Sequence, residues 1–247
     1  MYFYDPVFLE IVARVGFDVI WIEMEHAFLT YAQAADLCRM AYGRNLLTMI
    51  RIPDARRESV LKAAECGPDI IDLPMANSPE DIRDLLNNAK YPPVGRRGYF
   101  SPSRSLHYGL VESVADEQQK LNEELSLIVQ VETVEAVERI DELCSIPGVD
   151  IFIGPGDLSA SLGVPGQTSH PKVSAAVHRT MEAAHRHNRR VATAVSQADA
   201  AFWIDLGVDL LFCTNDVVCL RSGAQATFQH ASALIEARAG QNKDNGQ

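Results

Sequence analysis

The chain has 247 residues, 47% of them hydrophobic and 22% charged, a profile of one large globular domain or two small ones and not of a disordered or fibrous chain. Its 22 Lys and Arg against 33 Asp and Glu give a formal charge of −11, which argues against nucleic acid or an anionic membrane as partner. No apolar run approaches the roughly 18–20 residues of a membrane helix and no leader pattern opens the chain, so the expected compartment is the cytoplasm, where five cysteines in no metal-binding spacing read as reduced thiols.

In chain order, residues 1–5 leave room only for Tyr2-Phe3-Tyr4 as a short first strand, and residues 6–14 read as a helix. Residues 19–24 form the first clear buried strand. Thr30 with Gln33 makes a capping box ahead of a helix over 31–42. Residues 46–52 form the next strand, and Gly67 closes a helix around 59–66. After a strand over 70–75, Ser78-Pro79-Glu80-Asp81 supplies a cap, a first-turn proline and two acids for another helix. Further strands are expected over 127–131, 149–153, 191–195 and 208–213, with a helix over 172–187. A last helix carries the apolar pattern Phe228, Ala231, Leu234 and Ile235.

Strand followed by helix, repeated at spacings of about 20–30 residues, predicts a parallel sheet covered by helices. At this length the fold class is α/β, a TIM (β/α)8 barrel whose first strand is truncated. A single barrel domain is expected over 1–238, including the last helix, with a disordered polar tail over 239–247.

Reactive residues of such a barrel sit at the C-terminal ends of its strands. Those ends read Glu23-Met24-Glu25-His26, Arg51-Ile52-Pro53, Asp72-Leu73-Pro74, Gln130-Val131-Glu132 and Gly154-Pro155-Gly156-Asp157. Glu132 and Asp157 lie one βα unit apart, which places their carboxylates on adjacent strands about 4.8 Å apart. Two carboxylates that close share a cation or a proton. Magnesium or manganese suits a site with only two protein oxygens and several open positions. The plainer alternative is that Glu132 caps the helix beginning at Thr133 and Asp157 caps the turn at Leu158-Ser159.

The ordered blocks Gly16-Phe17-Asp18, Glu25-His26, Arg51-Ile52-Pro53, Leu73-Pro74-Met75, Pro92-Pro93-Val94-Gly95-Arg96-Arg97-Gly98, Gln130-Val131-Glu132-Thr133 and Phe152 to Ser159 resemble the HpcH/HpaI family of class II, metal-dependent pyruvate aldolases, over about residues 6–230. The resemblance implies a barrel of the phosphoenolpyruvate/pyruvate superfamily type. It implies cleavage of a 4-hydroxy-2-oxo acid to pyruvate and an aldehyde, both small-molecule partners, with the reverse condensation also catalysed. By the same resemblance Glu132 and Asp157 hold a divalent metal (Mg2+, Mn2+ or Co2+), Arg51 faces the substrate carbonyl, and His26 takes the C4 hydroxyl proton. Glu23 and Glu65 assist the histidine, and Gln130, Gly154, Pro155, Gly156 and Arg97 bind substrate. A homo-oligomer, with a hexamer favoured, is implied as well. Glu23 and Glu65 stand where many members carry aspartate, and Gly156 where alanine is common. Two alternatives stay open: a related lyase, synthase or decarboxylase acting on oxaloacetate or an acyl thioester, and a keto-acid-binding relative without turnover.

Overall fold

The helices begin where side chains can satisfy open backbone donors. In this computed structural model, which describes residues 1–244, Asp5 accepts the N–H groups of Val7 and Phe8 at 2.9 and 3.1 Å and starts α1 (Pro6–Val15), which ends on Gly16 at φ 102°. β1 (Val19–Glu23) follows. The capping box of Thr30 and Gln33 then opens α2 (Tyr31–Ala41) as the sequence predicts. Next come β2 (Leu47–Arg51), α3 (Arg57–Glu65) and β3 (Ile70–Leu73). Ser78 and Asp81 form a second capping box at the head of α4 (Pro79–Ala89). The chain continues through α5 (Val114–Glu124), β4 (Ser126–Val131), α6 (Val134–Glu138), α7 (Ile140–Ser145) and β5 (Asp150–Ile153). It then forms α8 (Pro155–Ser161), α9 (Pro171–Arg186), β6 (Val191–Ala194), α10 (Ala200–Asp205) and β7 (Leu210–Phe212).

The seven strands form one parallel sheet in the order β1-β2-β3-β4-β5-β6-β7. Helices on its outer face pack into the main core around Leu37, Ile50, Leu85, Ile140 and Val177. A second apolar cluster joins Met49, Ile70, Ile128, Phe152 and Ala192 with Val19, Trp21, Ala194, Leu210 and Phe212, so every strand contributes to it. The Trp21 ring of β1 lies 5.0 Å from the Phe212 ring of β7, although these strands are the two ends of the sheet. That contact requires the sheet to curl round a shared lumen, giving an open barrel of seven strands with helices outside.

Between β1 and β7 the expected short strand does not form: residues 2–4 carry no ladder. Met1 instead donates its amine to Trp21 O and accepts from Glu23 N at 3.1 Å, a one-residue parallel bridge opposite Ile22. Tyr4 turns away and bonds Asp36 on α2 through its hydroxyl.

The chain falls into two compact units, Met1–Cys213 and a second that begins at Thr214. The second contains α11 (Asp216–Asp244). The polar tail expected from 239 thus begins within α11, and residues 245–247 lie outside the described residues. Among the described residues no helix is long and apolar enough to cross a membrane.

Candidate active site

Alternate residues of a strand face the same side of a sheet. Two positions beyond the lumen residues Trp21, Met49, Ile70, Ile128 and Phe152 stand Glu23, Arg51, Asp72, Gln130 and Gly154. A polar layer therefore crowns the apolar lumen at the C-terminal end of the strands. Glu23, Arg51, Asp72 and Gln130 are all buried in it. Register puts Glu23 beside Arg51 and Arg51 beside Asp72.

Arg51 is the hub of this layer. Its guanidinium meets Glu23 Oε2 at 3.3 Å, pairs with Glu25 through Nη2, and lies 5.5 Å from the centre of the Trp21 ring. Burial works against its charge, but Glu23, Glu25, Asp72 and Glu132 together raise its pKa above the ordinary arginine value. The cation is permanent and cannot leave the lumen without stranding buried carboxylates.

Glu23, expected to assist His26, meets its backbone: Oε1 accepts the N–H groups of Glu25 and His26 at 2.7 and 3.0 Å. The carboxylate near the ring is Glu25, whose Oε2 lies 3.5 Å from His26 Nε2. The His26 side chain is 65% exposed at the mouth of the lumen.

Glu132, one residue past β4, is buried, and its Oε1 accepts Met75 N–H at 2.7 Å. It does not cap α6; Thr133 does, accepting Ala136 N–H at 3.1 Å. Asp157 lies in the first turn of α8 and not at the strand end, and makes no cap bond there. The Asp157 charge nevertheless acts on Glu132. Burial, and the nearby Asp157 charge, raise the Glu132 carboxyl above its ordinary value against the pull of the Met75 bond. Among the described residues no cluster of three His, Cys, Asp or Glu gathers as a metal cage. A divalent ion at Glu132 and Asp157 would fit the donor chemistry, relieving their repulsion and leaving positions for substrate oxygens and water. Gly154 makes room for that carboxylate, since a Cβ there would stand 2.8 Å from Glu132 Oε2. At Gly156 a Cβ would meet open space, so alanine would fit there.

Glu65 and Arg97 are brought together, but not to this mouth. Arg97 Nη2 meets Glu65 Oε1 at 2.8 Å and Ser105 Oγ at 2.9 Å, over the Tyr91 ring at 4.6 Å. Glu65 ends α3 just before β3 begins, so the pair lies at the N-terminal end of the strands, opposite His26 and Arg51. The contacts recorded for the pair, among the described residues of one chain, are with each other, Ser105 and Tyr91. A cavity of about 400 Å3 also opens at that far end, lined in part by Asp18, Thr48, Asp69 and Arg104; it contains none of the candidate residues.

The profile of the HpcH/HpaI aldolase/citrate lyase family matches residues 3–215. The chain belongs to the HpcH/HpaI family. It is 35% identical over 169 residues to a hydroxypyruvate/pyruvate aldolase of Sagittula stellata, covering 68% of this chain and 66% of that protein. It is 30% identical over 229 residues to a hydroxypyruvate/pyruvate aldolase of Roseovarius nubinhibens, covering 91% and 88%. The crystal structure of an HpcH/HpaI aldolase from Desulfitobacterium hafniense superposes with a TM-score of 0.88 at 29% identity, over 93% of this chain and 89% of that one. As a member of the HpcH/HpaI family with relatives so named, the protein is an aldolase, a carbon–carbon lyase.

The sequence places Glu25 and Asp72 among the strand ends and assigns neither a task; the structure sets Glu25 against Arg51 and His26, and Asp72 against Gln130. The signal for Asp72 was present: a carboxylate two positions after Ile70 in an otherwise apolar strand faces the same lumen.

Proposed function

We propose that the enzyme cleaves a 4-hydroxy-2-oxo acid reversibly to pyruvate, or another short 2-oxo acid, and an aldehyde, using a divalent metal. The observation that carries this reading is the convergence of a fixed cation, Arg51, and the paired acids Glu132 and Asp157 on one mouth of the lumen. A 2-oxo acid presents two adjacent oxygens that suit such a pair. The relatives' name, hydroxypyruvate/pyruvate aldolase, supports a short 2-oxo acid as the fragment that carries the negative charge.

Cleavage breaks the C3–C4 bond. Its electron pair moves onto the 2-oxo fragment as an enolate, the C4 hydroxyl loses its proton as the aldehyde forms, and a proton returned to C3 of the enolate gives the 2-oxo acid. A metal held by Glu132 and Asp157 (Mg2+, Mn2+ or Co2+) would supply Lewis-acid polarisation of the 2-oxo group. Arg51 sets a full positive charge beside the oxygen where charge grows. His26 is the proton acceptor at the C4 hydroxyl, turned by Glu25 and placed by the Glu23 clamp on its backbone. Gln130 and the turn Gly154-Pro155-Gly156-Asp157 bind the substrate carboxylate, with Gly156 and Asp157 in the first turn of α8, where N–H groups precede the helix's own ladder. The working form is a homo-oligomer, with a hexamer favoured.

The test is pyruvate release from short, long and acidic 4-hydroxy-2-oxo acids, with and without chelator. Metal-dependent release from at least one of them is expected. Turnover undiminished by chelator would overturn the metal, and decarboxylation of oxaloacetate without any aldol cleavage would overturn the reaction.

A further inference from the structure

The lumen holds one ionisable side chain that the reaction above leaves without a task. Asp72 on β3 is fully buried. Its Oδ2 accepts Gln130 Nε2–H from β4, while Oδ1 has no hydrogen-bond partner. Directly beneath, Ile70 and Ile128 line the same lumen with apolar carbon, so a leucine at position 72 would extend that layer at no desolvation cost. A carboxyl there costs stability. Burial pushes it well above the ordinary aspartate range even though it accepts from Gln130 and lies near Arg51. A residue that lowers stability at the centre of a polar layer, beside a substrate-binding side chain, calls for a functional reason.

The Gln130 amide supplies that reason. The last torsion of a glutamine is broad and nearly two-fold, so its oxygen and nitrogen ends can exchange places. The 2-oxo and carboxylate oxygens of a 2-oxo acid only accept hydrogen bonds, so the nitrogen end is the productive one. We propose that Asp72 is a positioning residue: by accepting one Nε2–H of Gln130 it fixes the amide so that the other N–H is presented to the substrate's 2-oxo acid end. Arg51 is already held by Glu23 and Glu25, which leaves Asp72 free to serve Gln130. The inference rests on the 2-oxo acid reading of the site and names the residue that sets its donor.

A double-mutant cycle tests it, using the full chain with saturating metal and four proteins: wild type, Asp72→Leu, Gln130→Ala and the double variant. Asp72→Leu is expected to melt at or above the wild-type temperature and to raise KM for the cleaved 2-oxo acid at least tenfold, with a smaller change in kcat. On the Gln130→Ala background the same change should move KM less than twofold, because the two residues act as one unit. Asp72→Asn, which keeps shape and can still accept from Nε2, should fall between wild type and Asp72→Leu, and it carries the test if Asp72→Leu does not fold. Additive effects in the cycle, or wild-type KM in both Asp72 variants, would overturn the proposal. Absence of aldol cleavage in the wild type would strike the function reading instead. In that event the affinity for oxalate, a planar mimic of the enolate, measured by calorimetry across the same proteins, still decides the role of Asp72 by the same additivity criterion.

Discussion

Arg51 and His26 are both basic groups at one mouth, yet their surroundings assign them different steps. Arg51 is buried between Glu23 and Glu25 and charged at every accessible pH, so it can stabilise an enolate but cannot take a proton. Arg51→Lys keeps the charge and loses the planar fork that spans two carboxylates. It is expected to lower both aldol cleavage and the exchange of pyruvate C3 protons by at least tenfold. His26→Ala should reduce cleavage far more than exchange, because pyruvate has no C4 hydroxyl; NMR of deuterium uptake beside a cleavage assay reads the two rates, and equal losses would remove His26 from its assigned step. Glu132→Gln and Asp157→Asn are each expected to cost on the order of 10³-fold in kcat/KM, with metal affinity falling in parallel by calorimetry. Asp72 has a pH signature too. Its folded-state pKa is raised, so the native chain binds this proton more tightly than the unfolded chain does. Stability is then highest below the ordinary aspartate value and falls as pH rises toward the folded value. Denaturant unfolding of Asp72→Asn between pH 4 and 8, relative to wild type, should show that slope removed. Which acids line the mouth was legible in the sequence, because strand ends could be aligned. Which acid touches which base was not. Glu23 anchors the backbone of the turn, and Glu25, to which the sequence assigned no task, lies beside the His26 ring.

At the scale of elements, the caps were the most readable signals. Thr30 with Gln33 and Ser78 with Asp81 form the boxes their spacing predicts, since a cap involves residues only three apart. Strand ends were less readable. The apolar run 70–75 is a ladder only to Leu73, because Met75 adopts φ 52° and turns its N–H to Glu132. Apolar character does not mark pairing: Pro74 is buried beyond the end of the ladder, while Met75, whose N–H holds Glu132, is half exposed. Glu65 and Arg97 show the same limit at longer range. A family position can be matched along a helix, but which end of the barrel it occupies follows from where that helix stops. Ser78→Ala removes the oxygen that accepts Asp81 N–H at 3.3 Å and is expected to lower stability by about 1 kcal/mol, read as a reduced denaturation midpoint with activity retained. Gly67 is a stricter position: φ is 69° and an added Cβ would stand 2.1 Å from Arg104 Nη1, which bonds the Cys66 and Gly67 carbonyls. Gly67→Ala should therefore destabilise by more than the cap variant does.

At the scale of the molecule, the seven-strand sheet has its seam between β1 and β7, and Met1 bridges β1 there. The curled parallel sheet with helices outside was legible from the spacing of strands, and the seven strands found are the seven clear apolar runs. That Met1 supplies a bridge was not legible, since one residue has no periodicity to read. In the second unit, α11 carries Leu220, Phe228, Leu234 and Ile235, each more than half exposed. Open apolar surface of that extent on one helix marks a contact surface. A second copy of the chain is the occupant we expect, because closed symmetric pairing lets one patch serve every protomer. Sedimentation velocity at micromolar concentration should show an oligomer, a hexamer by family resemblance. Phe228→Glu combined with Ile235→Glu should shift it to smaller species, since a charge buried in such a contact is costly without a partner. The lumen layer would be untouched by those changes, so any monomer that remains folded should keep the Glu23 and Glu25 clamp on Arg51. A wild-type chain that sediments as a stable monomer would show that α11 is not held by its own kind.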